Sequence, residues 1–201
     1  PKIYKIAIAF EVQMVPEIPA GEFYDRMRNG AQPKTSAANM GKFCDAFDTI
    51  VKEGYDILYL AFSSGLSTTV NFAREAAEEI MSQYDGSKIV VVDSLCASAG
   101  YGMLVKLLVD KKNAGATIDE LADYAENTKM SVCHWFTVDS LKYLKAGGRI
   151  SATTALLGGM LNIKPVMKVD DNGKLISVSK VRGRKAALQE IAKQYMETAV
   201  D

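Results

Sequence analysis

Two serines lie between an apolar segment and the start of a helical pattern. Ser63 and Ser64 directly follow the apolar run 56–62, and a helical pattern begins after Gly65. A helix N-terminus presents unpaired N–H groups and a partial positive charge, so hydroxyls at this place favour binding of an anion. The alternative is that Ser64 or Ser67 only caps the helix, and the local sequence on its own favours that alternative.

Two more polar pairs occupy comparable places in the chain. Thr35 and Ser36 stand in a loop before a helix, and Ser94 follows Asp93 at the end of an apolar strand. In an open α/β sheet ligands bind at the carboxyl ends of the strands, so Ser94 could provide a hydrogen-bonding floor for a site. Capping is the simpler explanation for the first pair, and it explains the second pair as easily, with Ser94 or Ser98 as the cap.

Gly147, Gly148 and Arg149 follow a short helical run at 141–146. Glycine lets a backbone approach a ligand closely, and arginine offers a planar fork that suits a carboxylate or a phosphate. Termination of the helix explains Gly147 but requires neither of the next two residues, so we predict that Gly148 and Arg149 contact a ligand or another domain. The alternative for Arg149 is an ion pair with a buried carboxylate. The apolar segment 152–161 is predicted to form a tunnel wall, although such segments are usually core.

No general base accompanies these hydrogen-bond donors. His134 is the sole histidine, and beside Trp135 and Phe136 on a predicted strand it is expected to be a packed residue. No other histidine is present to form a serine–histidine arrangement, and the sequence shows no EF-hand, HExxH or Walker pattern. Donors and a cation without a base suit holding an anion rather than performing acyl chemistry. The sequence thus predicts a binding protein with no catalytic residues, no metal and no cofactor.

A basic cluster lies near the C-terminal end of the chain, at Lys180, Arg182, Arg184 and Lys185. The simpler interpretation is a solvated strand end followed by a helix start. The functional alternative is docking of an acidic partner protein or of a lipid phosphate, because complementary charge guides such encounters.

Composition narrows the class of protein. With 201 residues, of which 48% are hydrophobic and 24% charged, the chain can bury a sizeable core in one or two domains. A formal net charge of +0 argues against a dedicated nucleic-acid binder. The three cysteines show no CxxC or zinc spacing, which favours reduced thiols in the cytoplasm. We find neither a signal peptide nor an apolar run long enough to span a bilayer.

Apolar strands and amphipathic helices alternate through the first part of the chain. We predict strands at 3–10, 56–62 and 88–92, and helices at 20–28, 40–50, 66–80 and 97–112. This alternation indicates βαβ units, and therefore an α/β fold with a parallel sheet and helices on both faces.

The pattern changes near residue 113. Thr117 and Glu120 form a capping box that opens a further helix, and 133–138 is typical of a strand. Residues 165–169 and 175–181 predict a β-hairpin, because the Asn-Gly pair between them suits a tight primed turn.

A hairpin after a parallel unit suggests a second domain of the α+β class. We therefore predict an α/β domain over residues 1–130 and an α+β domain over residues 131–201.

Four motifs together resemble one known family. They are Pro33-Lys34-Thr35-Ser36, Phe62-Ser63-Ser64-Gly65-Leu66-Ser67, Val92-Asp93-Ser94, and Gly147-Gly148-Arg149 within the stretch 141–182. In their order and approximate spacing they are similar to the motifs of the DegV family of bacterial fatty-acid-binding proteins. The similarity runs from about Phe23 to Ala199. It implies the fold of that family, which agrees with the fold predicted from the strand and helix pattern.

The resemblance also implies a ligand and a partner. The ligand would be a long-chain fatty acid, with its carboxylate near Thr35 and Ser64. The partner would be a separate fatty acid kinase subunit that phosphorylates the presented carboxylate with ATP, so that the acyl phosphate feeds phospholipid synthesis. Such a carrier would be cytoplasmic, with transient contact to a membrane. Taken with the motifs above, the candidate ligand-binding residues are Thr35, Ser63, Ser64, Ser94, Gly148 and Arg149.

Members of this family usually have further segments at both ends. They begin with a strand and an Asp-Ser-Thr-type loop, and they continue into strands that bear a histidine near the head-group site. Neither segment is found before Ile3 or after Asp201. Two other classes stay open on the sequence, namely a small hydrolase that uses Ser64 and an interaction module that uses the basic cluster without any ligand.

Overall fold

The computed structural model describes residues 6–9, 18–33, 36–150 and 162–199. These residues form six strands, seven α-helices and one 3₁₀ helix. The strands are β1 (Ile6–Ala9), β2 (Asp56–Ala61), β3 (Ile89–Asp93), β4 (Trp135–Thr137), β5 (Ile163–Val169) and β6 (Leu175–Arg182). The α-helices are α1 (Ala20–Arg28), α2 (Met40–Lys52), α3 (Thr69–Gln83), α4 (Ser98–Asn113), α5 (Ile118–Thr128), α6 (Lys142–Ala146) and α7 (Arg184–Thr198), and the 3₁₀ helix spans Lys129–Ser131.

The first sheet is parallel, with the strand order β1-β2-β3. Its central strand is an unbroken apolar run, and residues 57–61 are each at most 2% exposed. Continuous apolar sequence of this kind is typical of a strand covered on both faces. The prediction of a buried parallel strand at this position is confirmed.

Helices cover both faces of this sheet, as the alternating pattern predicted. On one face Ile57 and Tyr59 pack with α2 and α3 in a cluster that includes Phe47. On the other face Leu58 and Leu60 pack with residues of α4 and α5. Side chains alternate between faces along a strand, so β2 supplies both halves of the core.

The second sheet is antiparallel, with the order β4-β5-β6. Its core is smaller, and the buried cluster beside α6 consists of Leu141, Ile150 and Met167. Helix α7 lies against the sheet and buries only Ala187. The presence of one parallel and one antiparallel sheet confirms the predicted fold class, whereas the division into domains at residue 130 stays a prediction.

The hairpin between β5 and β6 is present, but its turn is not of the primed type. The Gly173 N–H donates to the Asp170 carbonyl at 2.9 Å, and Gly173 has a φ of +70°. A type I′ turn would need positive φ at Asn172 as well, and Asn172 is not among the residues with positive φ. The loop is therefore a type I turn that ends in a left-handed glycine. A β-bulge at Val178 also interrupts the pairing of the two strands.

The predicted capping box is confirmed at the start of α5. Thr117 Oγ1 accepts the Glu120 N–H at 3.3 Å, and Glu120 Oε2 accepts the Thr117 N–H at 2.8 Å. Helix α2 is capped by Asn39, whose Oδ1 accepts the Lys42 N–H at 3.0 Å. Capping of that helix is therefore not the role of Ser36.

Among the helices described, none has the length and apolar character needed to cross a bilayer.

Candidate functional site: a cavity between the two sheets

A cavity of about 900 Å³ lies between the carboxyl end of the parallel sheet and the inner face of the antiparallel sheet. Its walls come from the loop before α2, the loops that follow β2 and β3, strand β4, and the ends of β5 and β6. Most of the lining is apolar, and its large apolar side chains include Phe62, Leu66, Trp135, Phe136, Leu144 and Leu175. Cavities of this size and character hold small organic ligands in other proteins.

Polar groups interrupt this apolar lining at a few places. They include Ser36, Ser67, Thr69, Ser98, His134 and Arg149. A few polar groups in an apolar cavity can fix the orientation of a ligand that has one polar end.

Ser63 and Ser64 do not line the cavity, although the next turn of chain does. Ser63 is fully buried, and its Oγ donates to the Gly173 carbonyl at 2.8 Å and accepts the Gly65 N–H at 3.1 Å. Ser64 is exposed, and its N–H donates to Asp93 Oδ1 at 3.1 Å. The hydroxyl of Ser63 is thus already bonded within the protein.

The loops after β2 and β3 meet, as expected for neighbouring parallel strands. Asp93 Oδ1 accepts the N–H groups of both Ser64 and Leu95, each at 3.1 Å. Ser94 is fully buried, and its Oγ accepts the Cys96 N–H at 3.0 Å. Ser94 is therefore hydrogen-bonded within its own loop, and it is not among the residues that line the cavity. It does not cap α4 either, because Ala97 occupies the N-cap without a side-chain hydrogen bond.

Helix α3 begins later than the sequence pattern suggested. Thr68 occupies its N-cap and makes no side-chain capping bond, so Leu66 and Ser67 precede the helix. Ser67 Oγ lies 2.7 Å from Thr69 Oγ1 and accepts the Thr69 N–H at 3.3 Å. This hydroxyl pair lines the cavity, and neither residue was among the predicted ligand contacts.

Thr35 lies outside the described residues, as does the predicted tunnel wall at 152–161. The residue after Thr35, Ser36, lines the cavity. Of this motif, Ser36 is thus the described residue that contacts the cavity.

Gly148 has a structural reason to be glycine. It adopts a φ of +73° directly after the C-cap of α6. The Gly148 N–H donates to the Lys145 carbonyl at 2.9 Å, and the Arg149 N–H donates to the Leu144 carbonyl at 3.0 Å. These two bonds form a Schellman motif, which requires a left-handed residue at this position. The expectation that helix termination needs only the first glycine is therefore wrong.

Arg149 is brought to the cavity wall by this turn. Its guanidinium donates to the Gly147 carbonyl, and within the described ranges it has no carboxylate partner. A cation beside an apolar cavity without an anionic partner can attract the charged end of a ligand.

The start of α4 forms another part of the wall. Residues 97–100 line the cavity, and the first N–H groups of a helix have no intrahelical acceptor. His134 lies against this turn, with Nε2 3.5 Å from the Ala97 nitrogen. A Cβ added to Gly100 would lie 2.0 Å from His134 Nε2, so glycine is required for this contact.

Burial lowers the pKa of His134 below its usual range, while a hydrogen bond with the Val132 backbone opposes the shift. The imidazole is therefore neutral at pH 7 and can accept the Ala97 N–H. Its expected role as a packed residue is compatible with this contact, but its place on the cavity wall was not predicted. No periodicity in the sequence relates His134 to Gly100, which lies 34 residues earlier.

The thiols and acidic groups offer no metal site in the part of the chain described here. Cys133 is exposed and lines the cavity. Cys96 is buried, and burial raises the pKa of its thiol to about 11.

The basic cluster lies away from the cavity lining. Lys180 and Arg182 are exposed on β6, which is an edge strand of the described sheet. Arg184 lies 3.4 Å from Asp139, which also pairs with Lys164 at 3.1 Å. The hydrogen bond and charge of Lys164, together with the charge of Arg184, lower the pKa of Asp139.

Lys185 is exposed at the start of α7. Three of the four basic side chains thus have no ion-pair partner among the described residues. Charged side chains also protect an edge strand from pairing with other chains, which is the structural explanation for Lys180 and Arg182.

Comparison with known proteins identifies the family. The model of the DegV family matches residues 10–200. This chain belongs to the DegV family. A DegV domain-containing protein of Clostridium perfringens is 42% identical over 185 residues, which cover 92% of this chain and 64% of the relative. The chain thus spans about two thirds of the length of that bacterial relative.

Solved structures show the same DegV fold. A DegV family protein of Thermus thermophilus, described as fatty-acid-binding, is 32% identical with a TM-score of 0.77, covering 91% of this chain and 64% of that one. The fatty acid kinase B3 protein of Streptococcus pneumoniae, loaded with linoleic acid, has a TM-score of 0.80 at 23% identity, covering 90% of this chain and 64% of that one. At that identity the second likeness concerns the fold alone.

Proposed function

We propose that this DegV protein binds a long-chain fatty acid in the cavity between its two sheets and acts as a carrier without catalysis of its own. The observation that supports this most is the combination of a cavity of about 900 Å³, a largely apolar lining and Arg149 at its wall, which has no carboxylate partner among the described residues. Each buried CH₂ group contributes about 0.8 kcal/mol. A long alkyl chain therefore needs only a few polar contacts at its head.

The carboxylate lies at the end of the cavity formed by the first sheet. Ser36, Ser67 and the first turn of α4 supply donors there, and Thr35 is next in sequence to Ser36. Arg149 supplies a positive charge from the cavity lining. Ser64 stays a candidate because its exposed side chain has no hydrogen bond among those described, whereas Ser63 has both of its bonds inside the protein.

The hydrogen bonds of the described serines favour carriage over hydrolysis. In the described ranges no serine hydroxyl is hydrogen-bonded to His134, whose Nε2 faces the Ala97 nitrogen. A nucleophilic serine needs such a base within hydrogen-bond reach. We therefore propose that any chemistry on the carboxylate is performed by another protein.

That protein, in our proposal, is a fatty acid kinase subunit that phosphorylates the presented carboxylate. The support is the motif resemblance and the fold shared with the fatty acid kinase B3 protein. Lys180, Arg182 and Lys185 would attract its acidic surface, while Arg184 is partly neutralised by Asp139. Charge complementarity mainly sets the rate of encounter and weakens with salt.

Titration of the delipidated protein with oleate tests the binding proposal. Trp135 is the only tryptophan and lies on the cavity wall, so its fluorescence reports occupancy directly. We expect one oleate per chain by calorimetry and a matching change in fluorescence. A protein that shows neither signal, and that retains no fatty acid in mass spectrometry after purification, would not be the proposed carrier.

Two serine variants locate the carboxylate. A hydrogen bond to a charged group contributes about 1.5–3 kcal/mol, so removal of the anchoring hydroxyl should weaken oleate binding by about tenfold or more. Ser64→Ala tests the assignment from the family motif, and Ser67→Ala tests the assignment from the cavity lining. Ser82→Ala, on the exposed side of α3, is the control. If all three variants bind like the wild type, the anchor is elsewhere.

Arg182→Ala separates carriage from docking. We expect unchanged affinity for oleate and slower phosphorylation in a reconstituted assay with the kinase subunit, most clearly at low salt. Lys106→Ala, an exposed basic residue on α4, is the matched control and should leave the rate unchanged. Loss of oleate binding with retained kinase association would instead assign Arg182 to the ligand site.

A further inference from the structure

The loop after β2 and the hairpin turn between β5 and β6 are joined by one buried contact. Ser63 Oγ donates to the Gly173 carbonyl at 2.8 Å across a sequence separation of 110 residues. The same oxygen accepts the Gly65 N–H at 3.1 Å. Ser63 is fully buried, so water does not compete for this hydroxyl.

Two glycines make the contact sterically possible. A Cβ on Gly65 would lie 2.4 Å from the Asn172 carbonyl oxygen and 2.6 Å from backbone atoms of Gly173. A Cβ on Gly173 would lie 2.0 Å from Ser63 Oγ. The obstructing atoms in the first case belong to backbone, which cannot rotate away as the end of a side chain can. The two loops therefore fit only without side chains at both positions.

Each partner in the contact is held firmly by its own region. Asp170 Oδ1 accepts the N–H groups of Asn172 at 3.0 Å and of Lys174 at 2.8 Å, which fixes the hairpin turn. On the other side the Ser63 N–H donates to the Cys96 carbonyl at 3.1 Å. The contact thus joins two loops that are each held in place by hydrogen bonds of their own.

This contact lies next to residues that line the cavity. Leu66 and Ser67 follow Gly65 directly and line one wall, and Leu175 follows the hairpin turn and lines the other. A displacement of the hairpin away from Gly65 would therefore separate the two walls.

We propose that Ser63, Gly65, Asn172 and Gly173 form a latch that holds the two walls of the cavity together and limits the rate at which a bound ligand leaves. Ser63 is in this view a positioning residue and does not touch the ligand. The proposal rests on the proposed fatty acid site for its ligand, but the latch itself is a property of the ligand-free chain.

Two variants open the latch in different ways. Gly65→Ala introduces the collision with Asn172, and Ser63→Ala removes the hydrogen bond without adding bulk. Gly102→Ala is the control for the first, because a Cβ there meets nothing within 4 Å, and Ser82→Ala is the control for the second. The dissociation rate of oleate is measured by stopped flow, as transfer to phosphatidylcholine vesicles followed by the fluorescence of Trp135.

We expect dissociation to become roughly three- to tenfold faster in Ser63→Ala, the effect of one neutral hydrogen bond, and at least about tenfold faster in Gly65→Ala. Both controls should stay at the wild-type rate. Circular dichroism and thermal melting verify that the variants are folded at the assay temperature. A purely structural role would lower the melting temperature and leave the dissociation rate of the folded protein unchanged, and that result overturns the proposal.

Hydrogen exchange separates the latch from the fatty acid proposal. In the ligand-free protein, peptides that span 62–67 and 170–175 should exchange faster in Ser63→Ala than in the wild type. If oleate does not bind even to the wild type, the proposed function fails while this exchange result still tests the contact. If both peptides exchange at the wild-type rate in Ser63→Ala, the hydrogen bond does not hold the two loops together and no latch exists. If Gly65→Ala does not fold, Ser63→Ala alone carries both measurements.

Discussion

Two helices of equal length show how differently the two regions of this protein are stabilised. Helix α3, in the parallel-sheet region, has 15 residues and buries six of them. Helix α7, in the antiparallel region, also has 15 residues and buries one, Ala187. Most of the stability of a helix in a protein comes from tertiary packing of its apolar face. The parallel region thus has a core of its own, whereas the antiparallel region depends on fewer contacts.

The exposed side chains of α7 show the same difference. Leu188 is 50% exposed, Tyr195 65% and Met196 78%. In the parallel region the central strand is at most 2% exposed over residues 57–61. Cavity-forming substitutions are costly where neighbours are close-packed and cannot collapse, so the two regions should respond unequally to truncation.

The largest effect is expected from truncation in the central strand. Leu60 is fully buried between the sheet and α4–α5, and Leu60→Ala should cost about 2–5 kcal/mol in urea unfolding. Met167→Ala removes a fully buried side chain from the smaller core and should lie at the lower end of that range. An equal or larger cost for Met167→Ala would contradict the comparison.

A smaller effect is expected at the start of α5. Thr117→Ala removes the hydroxyl that accepts the Glu120 N–H, although the backbone N–H of residue 117 can still donate to Glu120 Oε2. The loss of this cap should destabilise the protein by about 1 kcal/mol. Thr68→Ala is a matched control, because Thr68 is an N-cap without a side-chain bond, and it should change stability by no more than a few tenths of a kcal/mol. Equal costs for both variants would mean that the hydrogen bonds of the Thr117 hydroxyl contribute nothing to stability.

A pH effect is expected where the two regions meet, at His134. Because burial lowers the pKa of His134 in the folded protein, the unfolded chain takes up the proton first as pH falls. The resulting stability is fully present above the unfolded pKa of about 6.5, and it is lost as pH falls through that value towards the lower folded pKa. Between pH 8 and pH 5 the wild type should therefore lose more stability than His134→Gln in urea unfolding. Parallel losses in both proteins would show that His134 is not the group responsible.

The smallest effect is expected on the outer face of α7. Leu188→Ala removes a half-exposed side chain and should change the free energy of unfolding by no more than about 0.5 kcal/mol. Urea unfolding of the present chain provides the measurement. A loss of unfolding free energy close to that of Leu60→Ala would mean that Leu188 is packed in a core and that α7 is not mainly exposed on this face.

The sequence was sufficient for features that one element or one short segment decides. The apolar run at 56–62 predicted a buried parallel strand, because continuous burial requires continuous apolar sequence. The Thr117–Glu120 spacing predicted the capping box, which involves a single helical turn. The DegV motifs predicted the family over nearly the whole chain.

Contacts between distant segments were decided only by the tertiary structure. Ser63 was a candidate ligand contact from its place after a strand, but its hydroxyl meets Gly173, 110 residues later. Likewise, nothing in the pattern around His134 indicated its contact with Gly100. Periodicity reports which side of an element is buried, whereas the partner of a buried hydroxyl depends on how two sheets are placed against each other. For this protein the sequence alone determined the parallel sheet, the β5–β6 hairpin, most of the helices and the family. The packing of the second sheet on the first decided which polar groups face the cavity.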